Sequence, residues 1–397
     1  MTYPLDGITV LDLTHVLAGP YCANQLADLG ARIIKVERPG LGDDTRHFPP
    51  FVDGESAYFA TLNRGKQSIA LDLRAASDRA IFDRLLAHAD VLIENNRPGV
   101  MERLGYGWEA LHARHPRLIY GAVSGFGHSG PDSLKPAYDM VVQARGGVMS
   151  ITGERDRDPV RVGASIGDIV AGMFLTQGVL AALLARAQTG VGQKVDVAML
   201  DSQLAILEHA VALTAVTGRA PGPNGARHPT ITPFETYRAE DGLFVLAAGN
   251  DALFARACMA LGLGPLDQDP RFASNAARCE NVKTLKRLIE AVTLERPRAH
   301  WIAALEAAGV PTGAIQNVAE VMADPQIRAR NMVVTIEKGP GGRPLPCSGN
   351  PIKMSDLPDP SVLPAAPKLD GDRQAVLDWL EEAEAAVAAP VPRRSRG

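Results

Sequence analysis

The chain has 397 residues, of which 46% are hydrophobic and 22% charged, and a formal net charge of −4. That length holds two or more domains with sizeable cores, and the composition is ordinary for a globular protein. No long basic stretch precedes the tail, which argues against a nucleic-acid partner. Cys22, Cys258, Cys279 and Cys347 lie far apart with no C-x-x-C pair, so reduced thiols are expected rather than a zinc site or a disulfide framework. MTYPLDGITVLDLTHV lacks a basic signal-type start. No uninterrupted apolar stretch is read as approaching the ~20 residues of a membrane span, so a cytoplasmic protein with no membrane partner is expected.

In chain order, ITVLDLT (8–14) reads as a buried strand, GPYCANQLADLG (19–30) as a helix closed by Gly30, and RIIKVE (32–37) as a second strand. SIALDL (68–73) is a third strand, followed by a helical DRAIFDRLLAHA (78–89). VLIEN (91–95) and RLIYGAVS (117–124) are two more strands. This rhythm predicts an α/β fold with a parallel sheet and right-handed crossovers. Ligands then sit beyond the carboxyl ends of the strands, at loops 14–20, 37–48, 94–100 and 124–139. From Asp168 to about Thr217 the pattern is mostly helical, broken at TGVGQKVDV (189–197). TGRAPGPNGARHPTITP (217–233) reads as a linker between a first part, 1–216, and a smaller α/β domain, 234–325. That smaller domain has strands near FETYRA and GLFVLAAG and helices around 251–262, 280–293 and 298–308. MVVTIEK (332–338) reads as a strand on a return to the large domain over 326–385, and 386–397 as a tail without fixed structure.

The first strand-helix unit sits where a dinucleotide fold carries G-x-G-x-x-G, yet THVLAGPYCAN supplies only Gly19, so a standard NAD site is disfavoured. Glu37 at the end of the second strand suits a ribose, and Arg38 a phosphate. Arg38, Arg46, Arg64, Lys66, Arg74, Arg97 and Arg103 recur in the strand-end loops; singly they suit a solvated surface, together a polyanionic nucleotide. No metal-ligand spacing and no G-x-S-x-G elbow appears. Asp168 is the sharpest residue. It stands among Gly163, Ala164, Ser165, Gly167, Ala171 and Gly172 at the start of a long apolar helix. Physics leaves it two roles: a helix cap, or a nucleophile kept ionised by the helix terminus.

LDGITVLDLTHVLAGP, RIIKVERPGLGDDTR, VLIENNRPGVMERLGY, AYDMVVQARGGVMSITG and VGASIGDIVAGM resemble the family III CoA-transferases of the CaiB/BaiF type. The likeness runs in order from residue 5 to about 369. It implies a Rossmann-like large domain, a smaller inserted domain, and two chains interlocked as a homodimer. It implies CoA esters as substrates with no permanently bound cofactor. It makes Asp168 the nucleophile, forming an aspartyl anhydride and then an aspartyl-CoA thioester. His15, Val16, Leu17 and Ala18 fall on the loop lining the acyl-CoA site, with backbone amides suited to an oxyanion. Arg38, Leu71, Arg74, Asn95 and Arg103 fall on CoA-contacting positions. Tyr138 and Asp139 fall beside the nucleophile. Leu17 stands where formyl-CoA members have Gln, Phe48 stands where they have Trp, and AAGND (247–251), with Gly249 and Asn250, replaces a glycine-rich loop. These departures, with SGFGHSGP, PVRVGAS and GNPIKMS, favour acetyl-CoA as donor and oxalate as acceptor. Formyl-CoA with oxalate or succinyl-CoA with a dicarboxylate remain as alternatives. A CoA-ester racemase of the same fold is more remote.

Overall fold

The structure is a computed structural model that describes residues 3–388. The described residues divide into two compact units: one made of residues 3–149, Arg161–Arg219 and 325–388, the other of Ser150–Val160 and Ala220–Asp324.

The first unit is built on six parallel strands: β1 (Thr9–Asp12), β2 (Arg32–Glu37), β3 (Gln67–Ala70), β4 (Val91–Glu94), β5 (Ile119–Ser124) and β6 (Lys194–Ala198). Their order in the sheet is β3-β2-β1-β4-β5-β6. This is the doubly wound order, and its switch point lies between β1 and β4. Both faces of the sheet are covered, which is why the strands are rich in buried aliphatic residues. Alternate side chains serve the two faces. Val10, Ile33, Val91, Ile93 and Ile119 pack with Cys22 and Leu26 of α1 (Ala18–Asp28) and with Leu175 and Val179 of a long helix, Ile166–Thr189. Leu11, Ile34, Ile69, Leu92 and Tyr120 pack on the other side with Phe82, Leu85, Leu111, Val376 and Leu380. Each such fully buried aliphatic or Phe side chain contributes roughly 1.5–3 kcal/mol.

The helix Ile166–Thr189 corrects one reading. At 24 residues it is long and apolar enough to cross a membrane. Here its stripe of Ala171, Leu175, Val179 and Ala182 is buried in the core. Gly172 lets it press on α1, because a Cβ there would stand 2.5 Å from the Ala18 carbonyl oxygen.

The chain returns to this unit at Pro325. Val333–Ile336 pairs with Leu345–Ser348 and Val362–Leu363 in a separate three-stranded sheet. Asp370 and Asp372 then accept hydrogen bonds from the Ala70 and Ser68 amides of edge strand β3, 2.7 and 2.9 Å. Those carboxylates satisfy an edge that would otherwise be open. A last helix, Arg373–Ala388, follows. It overruns the start of the tail expected at 386–397; the remainder of that tail lies outside the described residues.

The second unit has a three-stranded antiparallel sheet of Phe234–Ala239, Gly242–Ala247 and Thr312–Ala314. Tyr237, Phe244, Phe254, Phe272, Leu285 and Trp301 form its core. Buried Arg278 donates to the carbonyls of Thr232 and Phe272 and pairs with Asp251. Residues 220–233 therefore belong to this unit rather than to a free linker, and 150–160 joins it from upstream. Thr217 ends a helix, Glu208–Thr217. Composition marked the Gly/Pro-rich stretch as linker because such residues avoid regular elements, not because they avoid packing.

Candidate active site

A cleft of about 860 Å³ opens at the carboxyl ends of β1 to β4. Leu13 and His15 line it after β1, Arg38 and Leu41 after β2, Leu71 and Arg74 after β3, and Asn96 and Arg103 after β4. This is the switch-point crevice, where doubly wound sheets bind nucleotides. Six of the seven basic residues divide into two sets there; Arg97 is exposed and belongs to neither. Arg46 pairs with Glu37, Arg64 with Asp28 and Lys66 with Asp12, so these three are structural. Arg38, Arg74 and Arg103 face the cleft, Arg38 half-exposed and paired with Asp44 at 2.7 Å. Glu37 is not free for a ribose: both its oxygens accept bonds, from Arg46, Ser68 and the Asp43 amide.

Beneath the cleft lies a buried network of charges. Lys66 contacts Asp12 at 2.9 Å, Lys35 contacts Asp43 at 2.9 Å, and all four side chains are at most 1% exposed. Burial works to raise the Asp12 and Asp43 carboxyls, but the neighbouring lysines outweigh it and hold both low. The network fixes the loop after β1. Lys35 donates to the Thr14 carbonyl at 2.8 Å, and Asp12 accepts from the Thr14 amide at 2.9 Å. Val16 then adopts a left-handed φ of 66°. For a β-branched residue this costs of order 1–3 kcal/mol and persists only where the surroundings over-determine it. Burial and Lys35 push the His15 imidazole down, toward its neutral form.

Asp168 sits in the third position of its helix, after Ile166 and Gly167; Ser165 occupies the cap and makes no side-chain cap bond. The carboxylate is therefore not a helix cap. Nor do amides hold it ionised: among the described residues it has no hydrogen-bond or ion-pair partner, and burial and then Asp139 push it up to about 7. Asp139 opens the short helix Asp139–Arg145 and accepts from the Gly167 amide at 2.8 Å. Gln143 donates to Asp139 and accepts from the Val162 amide, 2.8 and 2.9 Å. Tyr58 is close enough that Asp168, after burial, raises its hydroxyl, and Tyr58 stacks on Phe48 with centroids 6.4 Å apart.

The sequence-predicted residues thus fall into groups. His15, Arg38, Leu71, Arg74 and Arg103 share the cleft. Asn95 does not line it; Asn96 does, while the Asn95 side chain bonds the backbone of His15. Tyr138 is 77% exposed and precedes Asp139. Gly249 and Asn250 are exposed in the second unit, where Asn250 caps the helix Asp251–Ala260. Of the amides expected to face an oxyanion, the His15 N–H goes to Asn95 and the Val16 N–H to Asp43. The Leu17 and Ala18 N–H groups, at the start of α1, remain. Sequence reading missed Asp43, Tyr58, Asn96 and Gln143. The first is flagged only by the turn LGDD; Tyr58 and Gln143 carry no local signal. No group of three or more His, Cys, Asp or Glu among the described residues is placed to hold a metal ion.

Residues 5–373 match the family model described as CoA-transferase family III. The chain belongs to that family. A relative from Acetobacter aceti, acetyl-CoA:oxalate CoA-transferase, is 48% identical over 92% of this chain and 93% of its own length. A succinate–glutarate CoA-transferase from Agrobacterium fabrum is 40% identical over 96% of each. Among solved structures, a CaiB/BaiF family protein from Brucella suis superposes with a TM-score of 0.85 at 40% identity, over 96% of this chain and all of that one. The switch-point cleft and the unpartnered Asp168 carboxylate lie in the same unit of the chain.

Proposed function

We propose that the protein transfers CoA from acetyl-CoA to oxalate, with Asp168 as nucleophile. The observation that carries the chemistry is an unpartnered carboxylate in a stretch of small residues, on the helix whose Gly172 abuts Ala18 at the start of α1. Asp168 attacks the thioester carbonyl and expels CoA thiolate, leaving a mixed anhydride. The thiolate then attacks the aspartyl carbonyl, releasing acetate and forming an aspartyl-CoA thioester. Oxalate attacks that thioester and expels the thiolate again, which adds to the oxalyl carbonyl of the new anhydride. Oxalyl-CoA leaves and the Asp168 carboxylate is restored. Anhydride and thioester are close in reactivity, so no step is steeply uphill. The Leu17 and Ala18 amides stabilise the developing oxyanion. Arg38, Arg74 and Arg103 hold the nucleotide phosphates by charge-assisted hydrogen bonds.

The donor and acceptor rest on the 48% identical relative and on Leu17 and Phe48 in place of the formyl-CoA pattern. Succinyl-CoA with a longer dicarboxylate is the second reading, favoured by the relative at 40% identity. In this reading the working form is a cytoplasmic homodimer with no resident cofactor. The test is kcat/KM for oxalate, succinate and glutarate with acetyl-CoA, and for oxalate with formyl- and succinyl-CoA. Oxalate with acetyl-CoA is expected to lead. A C4–C5 acid ahead by tenfold, about 1.4 kcal/mol in transition-state binding, overturns the pair but not the class.

A further inference from the structure

The left-handed backbone at Val16 needs a restraint, and the structure shows what supplies it. Asn95, the first residue after β4, grips the backbone of His15 from both sides. Its Oδ1 accepts from the His15 N–H at 2.8 Å, and its Nδ2 donates to the His15 carbonyl at 2.7 Å. Buried Asp43 accepts from the next amide, Val16 N–H, at 3.3 Å, while its other oxygen is held by Lys35. The two strands flanking the switch point are thereby tied through one side-chain amide. The turn at Val16 sets the direction of the amides that follow, at Leu17 and Ala18. Ala18 in turn abuts Gly172, one turn along the helix from Asp168.

We propose that Asn95 is a positioning residue for acyl transfer: it clamps the strained turn at Val16 and so aims the first amides of α1 at the reacting carbonyl. Asn95 acts through the backbone of His15, which takes up both polar atoms of its side-chain amide. The proposal rests on the reading of Asp168 as nucleophile beside this loop.

The clamp has a signature that separates it from a CoA contact. Glycine adopts a φ of 66° without penalty, so Val16→Gly removes the strain that Asn95 opposes. Asn95→Ala in the otherwise wild-type enzyme is expected to lower kcat by about 10- to 100-fold, the scale of a misplacement near 1 Å, with KM for acetyl-CoA within about threefold. In the Val16→Gly background the same substitution costs less than about threefold in kcat, a non-additive cycle. The thermal midpoint follows the same cycle: Asn95→Ala lowers it with Val at position 16 and leaves it nearly unmoved in the Val16→Gly background. If Asn95→Ala does not fold, Asn95→Asp, which keeps the acceptor and loses the donor, carries the cycle. Equal losses in both backgrounds, no loss in either, or a rise in KM alone would each overturn the clamp. Covalent labelling of Asp168 by acetyl-CoA and hydroxylamine in the wild type is read separately, so failure of the nucleophile is distinguishable from failure of the clamp.

Discussion

The buried charges under the β1 loop and the carboxylate on the long helix sit in one unit and obey opposite rules. Asp12, Asp43, Lys35 and Lys66 are deeply buried, yet every charge has an opposite charge within 4 Å. Asp168 is only half-buried and has no partner; its charged neighbour is another carboxylate, Asp139. Pairing with the lysines holds the Asp12 and Asp43 carboxylates ionised, and so suited to fixing a backbone. Lack of pairing leaves Asp168 near its neutral form, raised toward physiological pH, which is where a group that must gain and lose bonds is useful. Burial alone does not separate the two kinds of carboxylate. What separates them is whether a counter-charge stands beside them.

The comparison breaks most sharply at Asp168. Asp168→Asn keeps the shape and removes the nucleophile, so kcat should fall by roughly 10⁴-fold or more, while calorimetry with CoA shows binding retained. Stability should move the other way. A carboxyl whose folded pKa is raised favours folding below its ordinary value of 3.8, and that contribution is lost as pH rises through about 7. The Asn variant should therefore gain in thermal midpoint over wild type at pH 8 and gain little at pH 4. Retained turnover would refute the nucleophile; an equal gain at both pH values would refute the account of its environment.

The paired set gives the converse. Lys66→Met removes one member and leaves Asp12 with Lys35 at 3.8 Å as its nearest cation. Breaking a buried pair in this way costs about 3–5 kcal/mol, read by denaturant unfolding at pH 7. Because Asp12 is held low by the lysines, the wild-type advantage is present above its ordinary pKa and is lost as the pH falls through the folded value. A loss under 1 kcal/mol would mean that the network is replaceable by packing, and that Val16 is held by other means.

Much of the frame was legible in the chain. Strands 32–37 and 91–95 read clearly because their aliphatic and β-branched residues stand between turn signals, and RIIKVE matches β2 to the residue even though Lys35 and Glu37 in it are buried charges. The cleft followed from strand order, since loops at carboxyl ends carry ligands whatever their composition. The partition of the arginines did not follow, because pairing depends on residues far apart in sequence: Arg64 meets Asp28, and Lys66 meets Asp12. The role of Asn95 was hidden for the same reason, its partner being 80 positions away. Asp168 drew notice from its small neighbours, but its electrostatics depend on Asp139, which no local pattern joins to it. Residues 150–160 joined the second unit without any compositional cue.

The smallest effect sharpens the comparison most, because it removes the charge that faces Asp168; the bond that Asp139 accepts from Gln143 is lost with it. Asp139→Asn keeps an oxygen to accept from the Gly167 amide and removes the negative charge facing Asp168. In the proposed mechanism the ionised Asp168 is the reactive form, so kcat/KM in the wild type should fall on the acid side with a midpoint near 7. Without Asp139's charge only burial raises Asp168, and the acid limb should shift toward lower pH by a fraction of a unit to about one unit. Glu94, at the end of β4, is also pushed up to about 7, chiefly by burial; Asp139 is not among the causes of its shift. A limb that stays in place in Asp139→Asn would therefore assign the titration to Glu94 and make the pairing rule drawn from Asp168 incomplete. A limb that moves assigns it to Asp168 and ties the reactivity of that carboxylate to its like-charged neighbour.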